Sequence, residues 1–105
     1  MITYVAEVNI EYAVENYCLT YDMIKAAAVM EYNDKIIVAV MTRPVFTRSE
    51  RNRLLQSLGA DINTRYSKSA IVTADLEVYS KILMYNSGRD IEPAEIYEIA
   101  QRRAP

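Results

Sequence analysis

The sequence contains no histidine and a single cysteine, Cys18, so the side chains that most often act as bases, nucleophiles and zinc ligands are nearly absent. Without an imidazole to deprotonate a nucleophile, cysteine-protease and serine-triad chemistry is excluded. A zinc site of the usual kind needs several cysteine or histidine ligands. One cysteine also cannot form an internal disulfide, and Cys18 is expected to be a small buried apolar residue.

Glycine is scarce as well, with Gly59 and Gly88 as its two occurrences. The chain therefore lacks the glycine-rich loops that hold phosphates in P-loop and dinucleotide-binding proteins, and we expect no cofactor. The longest strongly apolar run covers residues 36–41, far short of the roughly 20 residues that a membrane-spanning helix needs. The first seven residues have no basic start and no long apolar stretch, so no signal peptide is predicted and a cytoplasmic location is expected.

The composition is that of one folded domain, predicted to cover residues 1–105. Half of the residues are hydrophobic (51%) and a quarter are charged (25%), which argues against disorder and low complexity. The formal net charge is -2, so the strong basic excess of nucleic-acid-binding proteins is missing and no nucleic-acid partner is expected. Nine of the ten aromatic residues are tyrosines, whose amphipathic rings suit core margins and interfaces alike.

The pattern of the first half of the chain predicts a helix followed by a β-hairpin. Residues 10–19 repeat apolar side chains at helical spacing, and Asn9 is placed to cap that helix. Residues 24–32 and 36–42 form strand patterns on either side of Asn33 and Asp34, a turn pair that tolerates positive φ. Residues 2–8 alternate as in a strand, with a helix as the alternative.

The second half predicts a helix, a strand and two further helices. Thr47 and Glu50 have the spacing of a capping box for a helix that runs to Tyr66. Residues 70–74 form a third strand, Asp75 caps the next helix, and Pro93 opens the last one. The chain is thus expected to adopt an α+β fold, a small mixed sheet (αββαβ core) with helices packed on it and two C-terminal helices.

Positive charge is concentrated in residues 43–68, which hold six basic and two acidic residues. Four arginines surround the predicted start of the helix 48–66, where free amides and guanidinium groups together suit an anion or an acidic partner. Solvated or ion-paired arginines are the alternative, because helical spacing puts Arg48, Arg51 and Arg53 at about 0°, 300° and 140°, which is not one face. The candidate contact residues are Arg43, Arg48, Arg51 and Arg53.

The strand 36–42 is apolar on both faces, so each face of the sheet needs a cover. The second face is predicted to be a self-association surface, because monomers seldom leave such a patch exposed. Residues 2–8 and the C-terminal helices are the alternative covers. The residues assigned to this surface are Val29, Ile37, Met41 and Ile71.

Four short stretches carry a resemblance to a known family: 24–29 (IKAAAV), 33–40 (NDKIIVAV), 70–75 (AIVTAD) and 86–91 (NSGRDI). Over residues 11–105 the chain resembles the YhcN/YlaJ family of sporulation lipoproteins from spore-forming bacteria. That family is similar to the small αββαβ modules of bacterial envelopes, including the BON-like and ring-building domains, which bind or assemble rather than catalyse. The resemblance implies a location at the spore membrane or envelope. Membrane anchoring is not carried over, since Cys18 lies in a predicted helix and no lipid-accepting cysteine stands near the start.

The resemblance and the missing catalytic groups together favour a non-enzymatic structural or interaction domain. Its expected role is spore envelope assembly or germination, through contacts with a protein partner or with further copies of itself. The alternative is a regulatory module that binds an anion or an anionic glycan at the arginines near the start of the helix 48–66. A small enzyme using carboxylates and tyrosines alone is a third alternative.

Overall fold

The computed structural model describes residues 9–44 and 47–105, and the prediction for residues 2–8 lies outside these ranges. Within them the chain forms four helices and three strands. In chain order these are α1 (Ile10–Cys18), β1 (Ile24–Tyr32), β2 (Lys35–Thr42), α2 (Arg48–Tyr66), β3 (Ser69–Thr73), α3 (Leu76–Asn86) and α4 (Pro93–Arg103). The predicted α+β class is confirmed, and the predicted bounds of each element agree with the observed ones to within one or two residues.

The three strands form one mixed sheet in the order β1-β2-β3. The hairpin strands β1 and β2 are antiparallel, and β3 runs parallel to β2 after the crossover through α2. Asn33 and Asp34 take φ values of 48° and 63°, as a two-residue hairpin turn of the primed type requires. This turn places Tyr32 opposite Lys35 and sets the register of the hairpin as far as Ala26 and Met41; the register shifts between there and the pair of Ile24 with Thr42.

Side-chain caps fix where three of the helices begin. Asn9 accepts from the backbone N–H groups of Glu11 and Tyr12, and Thr47 accepts from that of Glu50. Asp75 accepts from the N–H of Val78 at the start of α3. Each such cap satisfies one or two of the donors that a helix start leaves open, and is worth about 1 kcal/mol.

The helices cover the sheet on both faces, which gives three layers. On one face, α1 and α2 pack against β-strand side chains such as Val38 and Val72, with Leu58 and Ile62 of α2 fully buried. On the other face, α3 and α4 enclose a second cluster, whose members are Ala28, Met30, Ile37, Ala39, Val78, Ile82, Ile96, Ile99 and Ala100.

The predicted self-association face is occupied by the chain's own C-terminal helices. Ile37 has no exposed surface and lies under α3 and α4. The placement of Val29 is wrong, because Val29 pairs with Val38 and belongs to the opposite core, beneath α1 and α2. Ile71 packs at the margin of the second core, and Met41 is half-buried at the end of β2. These four residues therefore do not form one open patch.

Candidate functional site

The four arginines singled out in the sequence do not share one surface. The Arg43 side chain donates through Nε to the carbonyl oxygen of Asp22 at 2.8 Å, which ties it to the turn between α1 and β1. Arg53 lies with Arg48 around a shallow depression on the outer side of α2. Arg48 also lines, together with Arg51, a different groove that Arg53 does not reach. Helical spacing predicts that the three arginines do not form one face, and no single concave surface of the described residues contains all three.

Arg48 and Arg51 form one wall of a groove of about 690 Å³ that we call the arginine groove. Asn52 adds an amide to the same wall. The opposite side is formed by the turn from β3 into α3 and by the end of α4, which contributes Arg102 and Arg103. The groove therefore collects four guanidinium groups from two helices that are distant in sequence.

Acidic side chains neutralise one of these four arginines. Arg103 donates through Nη1 to Asp75 at 2.9 Å and to Glu77 at 2.8 Å. Burial acts to raise the pKa of Asp75, but the hydrogen bonds from the Val78 N–H and from Arg103 outweigh it and hold that pKa below its ordinary value. Both carboxylates of the groove are thus engaged by a single arginine.

Arg51 holds the groove's least satisfied donor. Its Nε atom is inaccessible to solvent and has no hydrogen-bond partner among the described residues. A buried donor left in this state costs about 1–3 kcal/mol relative to a paired one. Among the described residues that line the groove, Arg51 thus carries a buried donor that remains unpaired.

A second concave surface, which we call the β3 edge groove, follows the free side of the sheet. It measures about 660 Å³ and lies between α2 and α4, with Ser69, Ala70, Ile71 and Val72 along its floor. Among the described residues that line it, Lys35 is the one charged side chain, and its ammonium group lies over the Tyr97 ring at 5.5 Å. The surface is otherwise made of small, apolar and uncharged polar groups.

Cys18 and three of the tyrosines are built into the core and its margins. Burial raises the pKa of the Cys18 thiol to about 12, so it is a poor nucleophile at neutral pH. Tyr17, Tyr21 and Tyr66 pack edge-on between α1 and α2. Burial and the hydrogen bond that Tyr21 donates to Asp61 raise the pKa of that phenol. These tyrosines join two helices rather than line a groove.

Two further features of the described residues bear on the type of site. No three acidic or cysteine side chains among residues 9–44 and 47–105 gather closely enough to hold a metal ion. None of the helices in this part of the chain combines the length and apolar character needed to cross a membrane.

Sequence reasoning missed Arg102 and Arg103 as groove residues. At the sequence level they are explained as basic residues in the last turn of α4, where the helix dipole favours them. Nothing local to residues 93–103 indicates that this helix ends beside the start of α2. Their convergence with Arg48 and Arg51 arises only from the tertiary fold.

Comparisons of the chain with models of protein families, with curated proteins and with solved structures give no match. The resemblance to the sporulation lipoproteins therefore stays a prediction.

Proposed function

We propose that this chain is a non-enzymatic interaction domain that pairs with a second copy of itself along β3. The carrying observation is the edge position of β3: among residues 9–44 and 47–105 it has one hydrogen-bonded neighbour in the sheet, β2, and its first three residues are not buried. In a parallel pair, alternate residues direct both backbone groups to the neighbour and the others direct theirs outward. Such an edge is usually blunted by charges, proline or a bulge, and the sequence SAIVT contains neither charge nor proline.

The side chains of β3 favour another β3 as the partner strand. Antiparallel pairing about a two-fold axis at Ile71 places Ile71 opposite its own copy and Ala70 opposite Val72. The same register places Ser69 opposite Thr73. Ala70, Ile71 and Val72 then form apolar cross-strand pairs, which are stabilising. The Thr73 hydroxyl already donates to the carbonyl oxygen of Arg103, so it adds no hydroxyl pair with Ser69. A closed two-fold contact of this kind is also the commonest symmetry of soluble oligomers.

The walls of the β3 edge groove are compatible with the same contact. On the α2 wall, Gly59 has no side chain and Ala60 has a methyl group, which permits the α2 helices of two copies to approach. The lone cation, Lys35, lies beside Ser69 at the start of β3. In the antiparallel arrangement the two Lys35 side chains are at opposite ends of the contact, so like charges do not meet.

We take the biological process in which this pairing would act from the family resemblance. If the chain is a relative of the sporulation lipoproteins, self-association through β3 contributes to assembly of the spore envelope or to germination. Two chains joined at β3 form a continuous sheet of six strands. Both β1 edges of that sheet then remain at its ends.

The test is the molecular mass in solution, measured by light scattering behind a sizing column from about 10 µM to about 1 mM. We expect the mass to rise toward twice the 12.0 kDa of one chain. Ala60→Arg puts a bulky cation on the α2 wall of the β3 edge groove and should keep the protein monomeric. Ser57→Arg adds the same charge at an exposed position of α2 outside that groove and should leave the association unchanged.

Two results would refute the proposal. One is a wild-type mass that stays at one chain over the whole concentration range. The other is a dimer that Ala60→Arg and Ser57→Arg affect equally, because the contact would then lie elsewhere. Hydrogen exchange gives an independent readout, since the amides of residues 69–73 should gain protection as the concentration rises and those of α1 should not.

A further inference from the structure

The arginine groove holds more positive charge than its own acidic residues neutralise. Arg48 and Arg51 enter it from α2, and Arg102 and Arg103 from the end of α4. Asp75 and Glu77 are its two acids, and Arg103 pairs with both. Counted over side chains, four cations against two anions leave the groove with a charge of +2. Within the part of the chain that the structure describes, none of the ion pairs involves Arg48, Arg51 or Arg102.

The donors of the groove also point to an acceptor with several oxygen atoms. The buried Nε of Arg51 has no partner among residues 9–44 and 47–105. Asn52 lines the same wall and offers an amide. Guanidinium groups bind oxyanions through paired N–H groups. Because Arg51 and Arg102 come from helices on opposite faces of the sheet, they reach a shared ligand from different directions.

We propose that the arginine groove binds a phosphate monoester, with Arg51 and Arg102 as its principal contacts and Arg48 at its rim. A phosphate monoester carries a charge of about -1.5 to -2 at neutral pH, which matches the excess in the groove. Its tetrahedral group also presents oxygen atoms in several directions, whereas a carboxylate presents two in one plane. This site does not depend on pairing through β3, since it lies around a separate set of side chains.

The experiment is a calorimetric and thermal-unfolding titration of the full chain with inorganic phosphate, and with phosphoserine as a small monoester. Sodium chloride at matched ionic strength is the reference, because screening alone changes the stability of charged surfaces. We expect saturable binding of both ligands and a melting temperature that rises with their concentration. Succinate, at the same ionic strength, tests whether a dicarboxylate is accepted equally well.

Matched arginine variants locate the binding. Arg102→Ala removes an exposed groove side chain and should weaken phosphate binding by about tenfold or more, as expected for loss of a charge-assisted contact. Arg53→Ala makes the same change of charge at an exposed position of α2 outside the arginine groove, and should leave the affinity within about twofold. The Arg102→Ala variant should unfold at the wild-type temperature in sodium chloride.

Three results would overturn the assignment. The first is the absence of any phosphate effect beyond that of sodium chloride. The second is an equal loss of affinity in Arg53→Ala and Arg102→Ala, which would mean a diffuse electrostatic attraction. The third is succinate binding as tightly as phosphate, which would make the site a general carboxylate site. The oligomeric state of Arg102→Ala is measured in parallel, so that a failure of the phosphate assignment can be distinguished from a failure of the β3 contact.

Discussion

Replacement of Ile82 by alanine tests whether α3 covers the face of the sheet that contains Ile37. Ile82 has no exposed surface and lies in the cluster that contains Ile37. The change removes three carbon atoms, worth about 2.4 kcal/mol at roughly 0.8 kcal/mol for each buried methylene. A residual cavity raises the cost, and measured values for such substitutions are about 2–5 kcal/mol. We expect a loss of about 3 kcal/mol in the free energy of unfolding.

The melting temperature should fall in proportion. For a chain of 105 residues the unfolding entropy near the midpoint is about 0.22 kcal/mol/K, so a loss of about 3 kcal/mol lowers the midpoint by about 14 °C. Leu83→Ala is the control, since Leu83 is 44% exposed on the same helix and should cost about 0.5 kcal/mol or less.

Urea unfolding followed by circular dichroism, at two protein concentrations, gives the required free energies. If α3 covers the face within one chain, the difference between Ile82→Ala and wild type is the same at both concentrations. A loss below about 1 kcal/mol, or one no larger than that of Leu83→Ala, would refute the three-layer packing. A difference that changes with concentration would assign the cover to a second copy instead.

Two further predictions concern α2 and the start of α3. Gly59→Ala should raise the free energy of unfolding by up to about 1 kcal/mol in a thermal or urea measurement. The added Cβ would meet Val72 Cγ2 at 3.5 Å, an ordinary van der Waals contact. Destabilisation would show that α2 does not approach β3 as described. Asp75→Asn keeps a capping oxygen but loses the charge that pairs with Arg103, so it should cost less than about 1 kcal/mol at neutral pH. The pKa of Asp75 is held below its ordinary 3.8, so the stabilisation from its charge is fully present above pH 3.8 and is lost as the pH falls through the folded-state pKa. The difference in the free energy of unfolding between Asp75→Asn and wild type should therefore shrink on acidification, and a difference that grows would contradict the pairing.

Local features were predicted well because their causes are local. The turn at Asn33 and Asp34 and the caps at Asn9, Thr47 and Asp75 depend on residues within three or four positions. In each case a side chain either tolerates positive φ or satisfies a neighbouring backbone donor. The bounds of the hairpin and of three helices follow from these few positions.

The face assigned to Val29 was wrong for a reason that the sequence contains. A two-residue turn at Asn33 and Asp34 pairs residues that are equally distant from it, so Val29 is opposite Val38. Cross-strand partners point to the same side of a sheet, whereas Ile37 points to the other. The prediction grouped the residues by apolar character and strand alternation alone. Applying the register that its own turn required would have placed Val29 beneath α1 and α2.

The two grooves lie beside β3 because of the order of the layers. Helices on opposite faces of a sheet are separated by its thickness, and their side chains meet only where the sheet ends. Since β3 is an edge strand of the sheet that the described residues form, residues of α2 and α4 line the β3 edge groove and the arginine groove from two sides. Strand order decides this arrangement, because it places β3 at the edge of the sheet beside β2. The amphipathic pattern of each helix identifies a buried face but carries no information on strand order, so the arginines that share the groove with Arg51 could be identified only in the folded chain.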